Sequence, residues 1–140
     1  HDDDDHAGGA ASVAQLLHVQ ARVASGRALD PLGDVQPCRA GQHWTWDGVR
    51  FDWLHPSEPL LPDDNDRSCV LAIRVGSRLI VLTGDVEKLA EQHILERWVS
   101  GPADIVVVPH HGSRTSSSAG FVAASRPRWA LVSAGHRNRW

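Results

Sequence analysis

The sequence predicts an α/β layered fold built as one domain of 140 residues. Three observations carry that expectation. Short, almost wholly apolar runs alternate with a helical repeat in the second half of the chain. Asp47-Gly48 separates two aromatic-rich runs in "HWTWDGVRFDWLHP", a strong hairpin signal. Three polar segments, "HDDDDH", "TGD" and "PHHGS", stand at turns or at the ends of apolar runs, where a rigid scaffold presents chemistry.

Each element follows from its local pattern. Ala7-Gly8-Gly9 reads as a tight turn leading into a short helix over 10–17, with a strand over 19–24. Irregular Gly, Pro and Asp spacing makes 25–42 a loop. Trp44, Trp46, Phe51 and Trp53 favour extended backbone, which places strands over 43–46 and 49–54. A polar loop with three prolines, "PSEPLLPDDNDR", comes next. Residues 68–75 and 78–82 are strands joined by Gly76-Ser77, and their apolar content predicts burial on both faces. In "GDVEKLAEQHILERWVSGP", Val86, Ala90, Ile94 and Trp98 line one helical face. Asp85 is the expected N-cap, and Gly101-Pro102 stops the helix. A strand over 105–108, a serine-rich turn, a short helix over 119–124 and a strand over 129–132 complete the chain.

Composition bounds the function. A 41% hydrophobic and 22% charged chain is ordinary for a globular domain, and a net charge of −3 gives no overall nucleic-acid signal. The charges are unevenly placed: four of the first five residues are Asp, while 110–140 holds five Arg and no acid. Such polarity suits a cation site beside an anion site. No apolar run is long enough to cross a bilayer, and no leader pattern is present. The chain has no methionine, so it is read as a fragment of a longer protein. Cys38 and Cys69 are too few and too far apart for a zinc knuckle. A disulfide and two buried thiols are both open readings.

The polar segments hold the chemistry. Alternate side chains of an extended or turning segment share a face, so His1, Asp3 and Asp5 converge, with His6 at a neighbouring point. Asp85 follows one buried strand, and His110 and His111 follow another. Together these clusters supply ligands for two metal ions. Four adjacent aspartates repel one another unless cations offset them.

His1-x-Asp3-x-Asp5-His6-x-Gly8-Gly9 resembles the metal-binding signature HxHxDH of the metallo-β-lactamase superfamily. "LTGDVE" resembles that superfamily's later Asp ligand and "VVPHHGS" its last His ligand. With "SAGHRNRW", "GQHWTWDGVRFDWLHP" and "NDRSCVLAIR", the chain is similar over its whole length to the C-terminal hydrolase-like domain of the ComEC family of DNA-internalisation competence proteins. The resemblance implies a partial αββα sandwich, a fragment lacking the N-terminal strands, that spans residues 1–140. It implies that His1 and Asp3 hold one metal, that Asp5, His6 and His111 hold the second, and that Asp85 bridges them. The family has one more His ligand between the first motif and this Asp; His55 and Asn65 are the candidates for its place.

An Asp where the family's usual motif has His makes the site harder and more anionic. Hard donors move preference from Zn²⁺ toward Mn²⁺ or Mg²⁺, so Mn²⁺ is the favoured ion and Zn²⁺ the second candidate. A two-metal site suits phosphodiester hydrolysis. Asp5 and His110 are the candidate catalytic residues, His110 touching a scissile phosphate or protonating a leaving group. Ser113, Arg114, Thr115 and Asn138 are the candidate substrate-binding residues, and Arg126, Arg128, Arg137 and Arg139 extend a positive track for a nucleic-acid backbone. The implied partners are single- or double-stranded DNA and the membrane channel portion of the same polypeptide, with no small-molecule cofactor. The implied setting is a bacterial inner membrane protein with this domain soluble and extracytoplasmic. Two other functions fit the same residues: DNA binding or channel gating with a degenerate metal site, and hydrolysis of small esters. His18, His43, His93 and His136 read as surface or packing residues, and the tryptophans as core and hairpin packing.

Overall fold

The structure, a computed structural model, describes residues 1–98 and 101–135. Two short helices open it, α1 (Asp4–Ala7) and α2 (Ala10–Leu16), followed by a two-residue ladder in which β1 (Val23–Ala24) pairs in parallel with β2 (Gln36–Pro37). The strand expected over 19–24 contracts to two residues because its partner, which lies inside the expected loop, is equally short. The main sheet has six strands in chain order: β3 (His43–Trp46), β4 (Val49–His55), β5 (Val70–Val75), β6 (Arg78–Leu82), β7 (Ile105–Val107) and β8 (Trp129–Leu131). The first four pair antiparallel, β3 with β4 and β5 with β6 through two-residue turns and β4 with β5 across the long segment 56–69. The last three are parallel, with α3 (Lys88–Glu96) and α4 (Ala119–Ser125) as the connecting helices.

Asp47 and Gly48 both take positive φ at the β3–β4 turn, the left-handed conformation that an Asp-Gly turn accommodates. The core lies on one face of the sheet. Val70, Ala72, Leu79, Val81 and Val106 meet Val86, Ala90 and Ile94 from the α3 segment and Phe121 from α4, with Trp98 packed at the margin. The expected helical face is therefore the buried one. The expectation of burial on both faces of β5 and β6 is corrected. Leu71, Ile73 and Ile80 are half-buried and Leu82 is exposed, because among the described residues only α3 and α4 are layered on the sheet, both on the other side. Asp85 is not the N-cap of α3 either. The cap position is Glu87, and the carboxylate that accepts from the helix start belongs to Asp66, which takes the N–H groups of Glu87 at 2.8 Å and Ala90 at 3.3 Å. Gly84, at φ +57°, turns the chain between strand and helix and leaves Asp85 at the rim.

The serines after "PHHG" are structural pins. Ser116 Oγ donates to the carbonyls of Pro109 and Ser113, and Ser118 caps α4 by accepting from Phe121 N–H. Cys38 and Cys69 form a disulfide, with Cα atoms 6.0 Å apart, which ties the segment after β2 to the start of β5.

Candidate metal centre

The first motif folds into the entry and first turn of α1, so its side chains fan outward at one end of the sheet. Asp2 turns the other way. Its carboxylate accepts from the N–H groups of Arg27 and Ala28, both at 2.8 Å. Burial pushes that carboxyl up, yet these N–H donors hold it below the usual carboxylate range. A Cβ on Gly26 would collide with the Asp2 carboxylate, so only glycine fits beneath it.

Asp85 stands at the centre of the cluster. Its Oδ1 lies 3.0 Å from His6 Nε2, and its Oδ2 lies 3.4 Å from His111 Nε2 and 3.7 Å from His1 Nε2. His6 Nε2 and His111 Nε2 face each other at 3.3 Å. Asp5 reaches His111 Nε2 at 3.1 Å, and Asp3 reaches His1 Nε2 at 3.7 Å. Donor atoms of Asp5, His6, Asp85 and His111 all fall within 4.8 Å of one another. The Asp85 side chain is 6% exposed. One buried carboxylate thus faces two groups of candidate ligands, with His6, His111 and Asp5 on one side and His1 with Asp3 on the other.

Ligand orientation is set by neighbours. His111 Nδ1 is 2.7 Å from the Ser133 carbonyl, which can only accept. Nδ1 therefore carries the proton, and the Nε2 lone pair points inward. Burial opposes the charged form of His111, but Ser133, Asp85 and Asp5 raise its pKa above the ordinary histidine value. Ser68 Oγ sits 2.8 Å from His1 Nδ1 and accepts from Asp85 N–H at 3.1 Å. A hydroxyl oxygen accepts twice, so it can also take Nδ1–H of His1 and leave the Nε2 lone pair facing Asp85. Among the described residues, His1 Nε2 is buried with no hydrogen-bond partner. A buried imidazole nitrogen left orphaned between two carboxylates fits a divalent cation, as does the mixed nitrogen and oxygen donor set.

The other His cluster arrives on a strained turn. His110 (φ 48°) and His111 (φ 55°) are both left-handed, which non-glycine residues adopt at a cost of about 1–3 kcal/mol each. The turn is held by His110 N–H donating to Gly84 O at 3.2 Å and by Thr83 Oγ1 donating to Val107 O at 2.7 Å. It places the His110 ring beside Asp85 as well, Nε2 to Oδ2 at 4.0 Å.

The remaining expected residues sit as follows. Ser113 is buried, its hydroxyl 3.0 Å from that of Thr115, which in turn donates to Glu87 at 2.7 Å. Arg114, Arg126 and Arg128 are exposed, and the Arg114 carbonyl accepts from Lys88 Nζ. Asn138, Arg137, Arg139 and His136 lie outside the described residues. His55 is 1% exposed and uses Nε2 on the Asp66 carbonyl at 2.6 Å; Asn65 lies in a short 3-10 turn. Of the intervening segment, Ser68 is the residue whose side chain touches both His1 and Asp85. Sequence reasoning did not single out Ser68, Asp66 or Glu87. The available signal for Ser68 was a lone hydroxyl entering an apolar strand three residues after Asn65.

A fold with one mixed sheet layered by helices, and a carboxylate-bridged histidine cluster at the strand exits, defines a class. The chain belongs to the metallo-β-lactamase superfamily, whose family model matches residues 1–136. Recombination protein 2 of Haemophilus influenzae is 36% identical over all of this chain and 18% of its own length. Competence protein ComA of Neisseria gonorrhoeae is also 36% identical over the whole chain, covering 20% of that protein. ComE operon protein 3 of Bacillus subtilis is 36% identical over 66% of the chain and 12% of its own length. The chain thus spans a fifth or less of these relatives. Among the described residues, no helix is long and apolar enough to cross a membrane.

Proposed function

We propose that this chain is a metal-dependent phosphodiesterase domain that acts on DNA during its uptake, cutting one strand. The observation that carries the reading is the convergence of Asp5, His6, Asp85 and His111 on one point, with His1 and Asp3 beyond the shared carboxylate. The relatives' names, competence and recombination proteins, support DNA as the substrate.

His1 and Asp3 would hold one cation, Asp5, His6 and His111 a second, and Asp85 would serve both, with Mn²⁺ favoured. Bound there, such ions activate water and neutralise phosphate charge. The protein's own groups do the rest. The attacking water gives its proton to Asp5 as its oxygen bonds to phosphorus. The bond from phosphorus to the leaving oxygen breaks, and that oxygen takes a proton from His110. Arg114 lines the approach of the phosphate backbone, and Arg126 and Arg128 extend it; Ser113 and Thr115 flank Arg114 in sequence, and Asn138 lies outside the described residues. The Cys38–Cys69 disulfide supports an oxidising, extracytoplasmic setting beside a membrane channel.

The test is cleavage of single-stranded and duplex DNA by the chain with Mn²⁺. Strand cleavage that disappears on chelation and in Asp85→Ala is expected. DNA bound but never cut, or cut equally well by Asp85→Ala, removes the proposal.

A further inference from the structure

We propose that Glu87 and Thr115 are positioning residues that lock the His110 ring with Nδ1 turned away from the metal centre and Nε2 turned toward it. The inference rests on the phosphodiesterase reading and deepens it, since it explains how His110 is aimed at the leaving oxygen.

Glu87 Oε1 lies 3.2 Å from His110 Nδ1. A carboxylate only accepts, so a hydrogen bond across this distance is one that Nδ1–H donates. Thr115 has one hydroxyl hydrogen and directs it at Glu87 Oε1, 2.7 Å away. Its oxygen, 3.3 Å from His110 Nδ1, is then a second acceptor for the same ring proton. Ser113 Oγ backs Thr115 at 3.0 Å. The ring's other nitrogen faces Asp85 Oδ2 at 4.0 Å.

Both positioning groups are themselves held. Glu87 N–H donates to Asp66 Oδ1 at 2.8 Å, and Lys88 N–H donates to Thr115 O at 3.2 Å, which fastens the 113–115 segment to the start of α3. The His110 side chain is 12% exposed, so the ring has little room to turn over. Carboxylate and imidazole thus form a pair in which the acid fixes ring orientation, while Nε2 is presented to the reacting phosphate. One proton moves at this residue: Nε2–H goes to the leaving oxygen as its bond to phosphorus breaks, and Nδ1–H stays with Glu87.

Two substrates separate this role from a structural one. Bis(p-nitrophenyl) phosphate expels a leaving group that needs no proton, whereas DNA expels an alkoxide that does. With the Mn²⁺-loaded chain, Glu87→Ala is expected to lower kcat on DNA by at least about tenfold, up to the roughly 10²–10⁴ that the proton donor itself contributes. KM and the p-nitrophenyl rate stay near wild type. Glu87→Gln, whose carbonyl still accepts Nδ1–H, recovers part of the loss, and Thr115→Val shifts kcat the same way but less. Equal loss on both substrates overturns the inference. Side-chain ¹⁵N NMR of the Zn²⁺-loaded chain tests the orientation without turnover. A protonated Nδ1 on His110, lost in Glu87→Ala, is expected, and an unprotonated Nδ1 in the wild type overturns the inference. A wild type inactive on both substrates counts against the phosphodiesterase reading, while the NMR result still decides how His110 is held.

Discussion

Ser68 joins two metal-ligand candidates that lie 84 positions apart in sequence, through His1 Nδ1 and the Asp85 N–H. Ser68→Ala removes both bonds. A buried N–H left unpaired costs about 1–3 kcal/mol, and loss of an orienting contact weakens metal binding by roughly 10–100-fold. Calorimetric titration with Mn²⁺, beside thermal unfolding, checks both effects. Gly84 packs on the same serine: a Cβ there would stand 2.8 Å from Ser68 Cβ, at a left-handed φ. Gly84→Ala is expected to weaken metal binding as well as stability. His55 gives a pH prediction. Burial pulls its pKa below the ordinary 6.5, against the pull of the Asp66 carbonyl. In that window the unfolded chain binds the extra proton, so stability is full above about pH 6.5 and falls as pH drops below it. Denaturant midpoints from pH 8 to 5 should show this slope, flattened in His55→Gln.

The helices depend on carboxylates borrowed from elsewhere. Glu91 is fully buried and accepts the N–H groups of Ser117 and Ser118, at 2.5 and 2.8 Å, joining α3 to the start of α4. Glu91→Ala strands both donors and should destabilise by about 2–4 kcal/mol, read from urea midpoints at constant m. Asp66→Ala leaves α3 without its external cap and should cost on the order of 1 kcal/mol. Such pairings explain what was legible in these elements. The hairpin at Asp47-Gly48 and the buried stripe of Val86, Ala90 and Ile94 follow from local pattern, because turn geometry and helical period are properties of neighbouring residues. The true cap of α3 was not legible, since Asp66 lies more than 20 positions away and nothing local marks it.

At the scale of the whole molecule, a disulfide and a metal centre act on the same end of the sheet. Cys38 and Cys69 enclose a loop with a sequence separation of 31, and Cys69 follows Ser68 directly. By the chain-entropy argument the bond contributes about 3–4 kcal/mol, so reduction should lower the melting temperature without altering the fold. Metal acts by linkage. An ion at about 1,000 times its Kd stabilises by roughly 4 kcal/mol, and chelation should reverse the gain in wild type but change little in Asp85→Ala. Scanning calorimetry with Mn²⁺, with chelator and with reductant separates these contributions.

By itself the sequence determined the α/β class, the strands of the main sheet, the hairpin, the residues of the buried helical face and the family, with its metal-binding motifs. Periodicity, turn chemistry and short motifs are carried by residues close together in the chain. Only the tertiary structure decided that Asp85 faces His1, His6 and His111 together, that Ser68 touches both His1 and Asp85, and that Glu87 and Thr115 stand beside His110 Nδ1. It also decided that the cysteines pair and that one apolar face of the sheet stays partly open. These facts come from contacts between segments that folding brings together, and the energies that fix them depend on distance in space, which local sequence pattern does not encode.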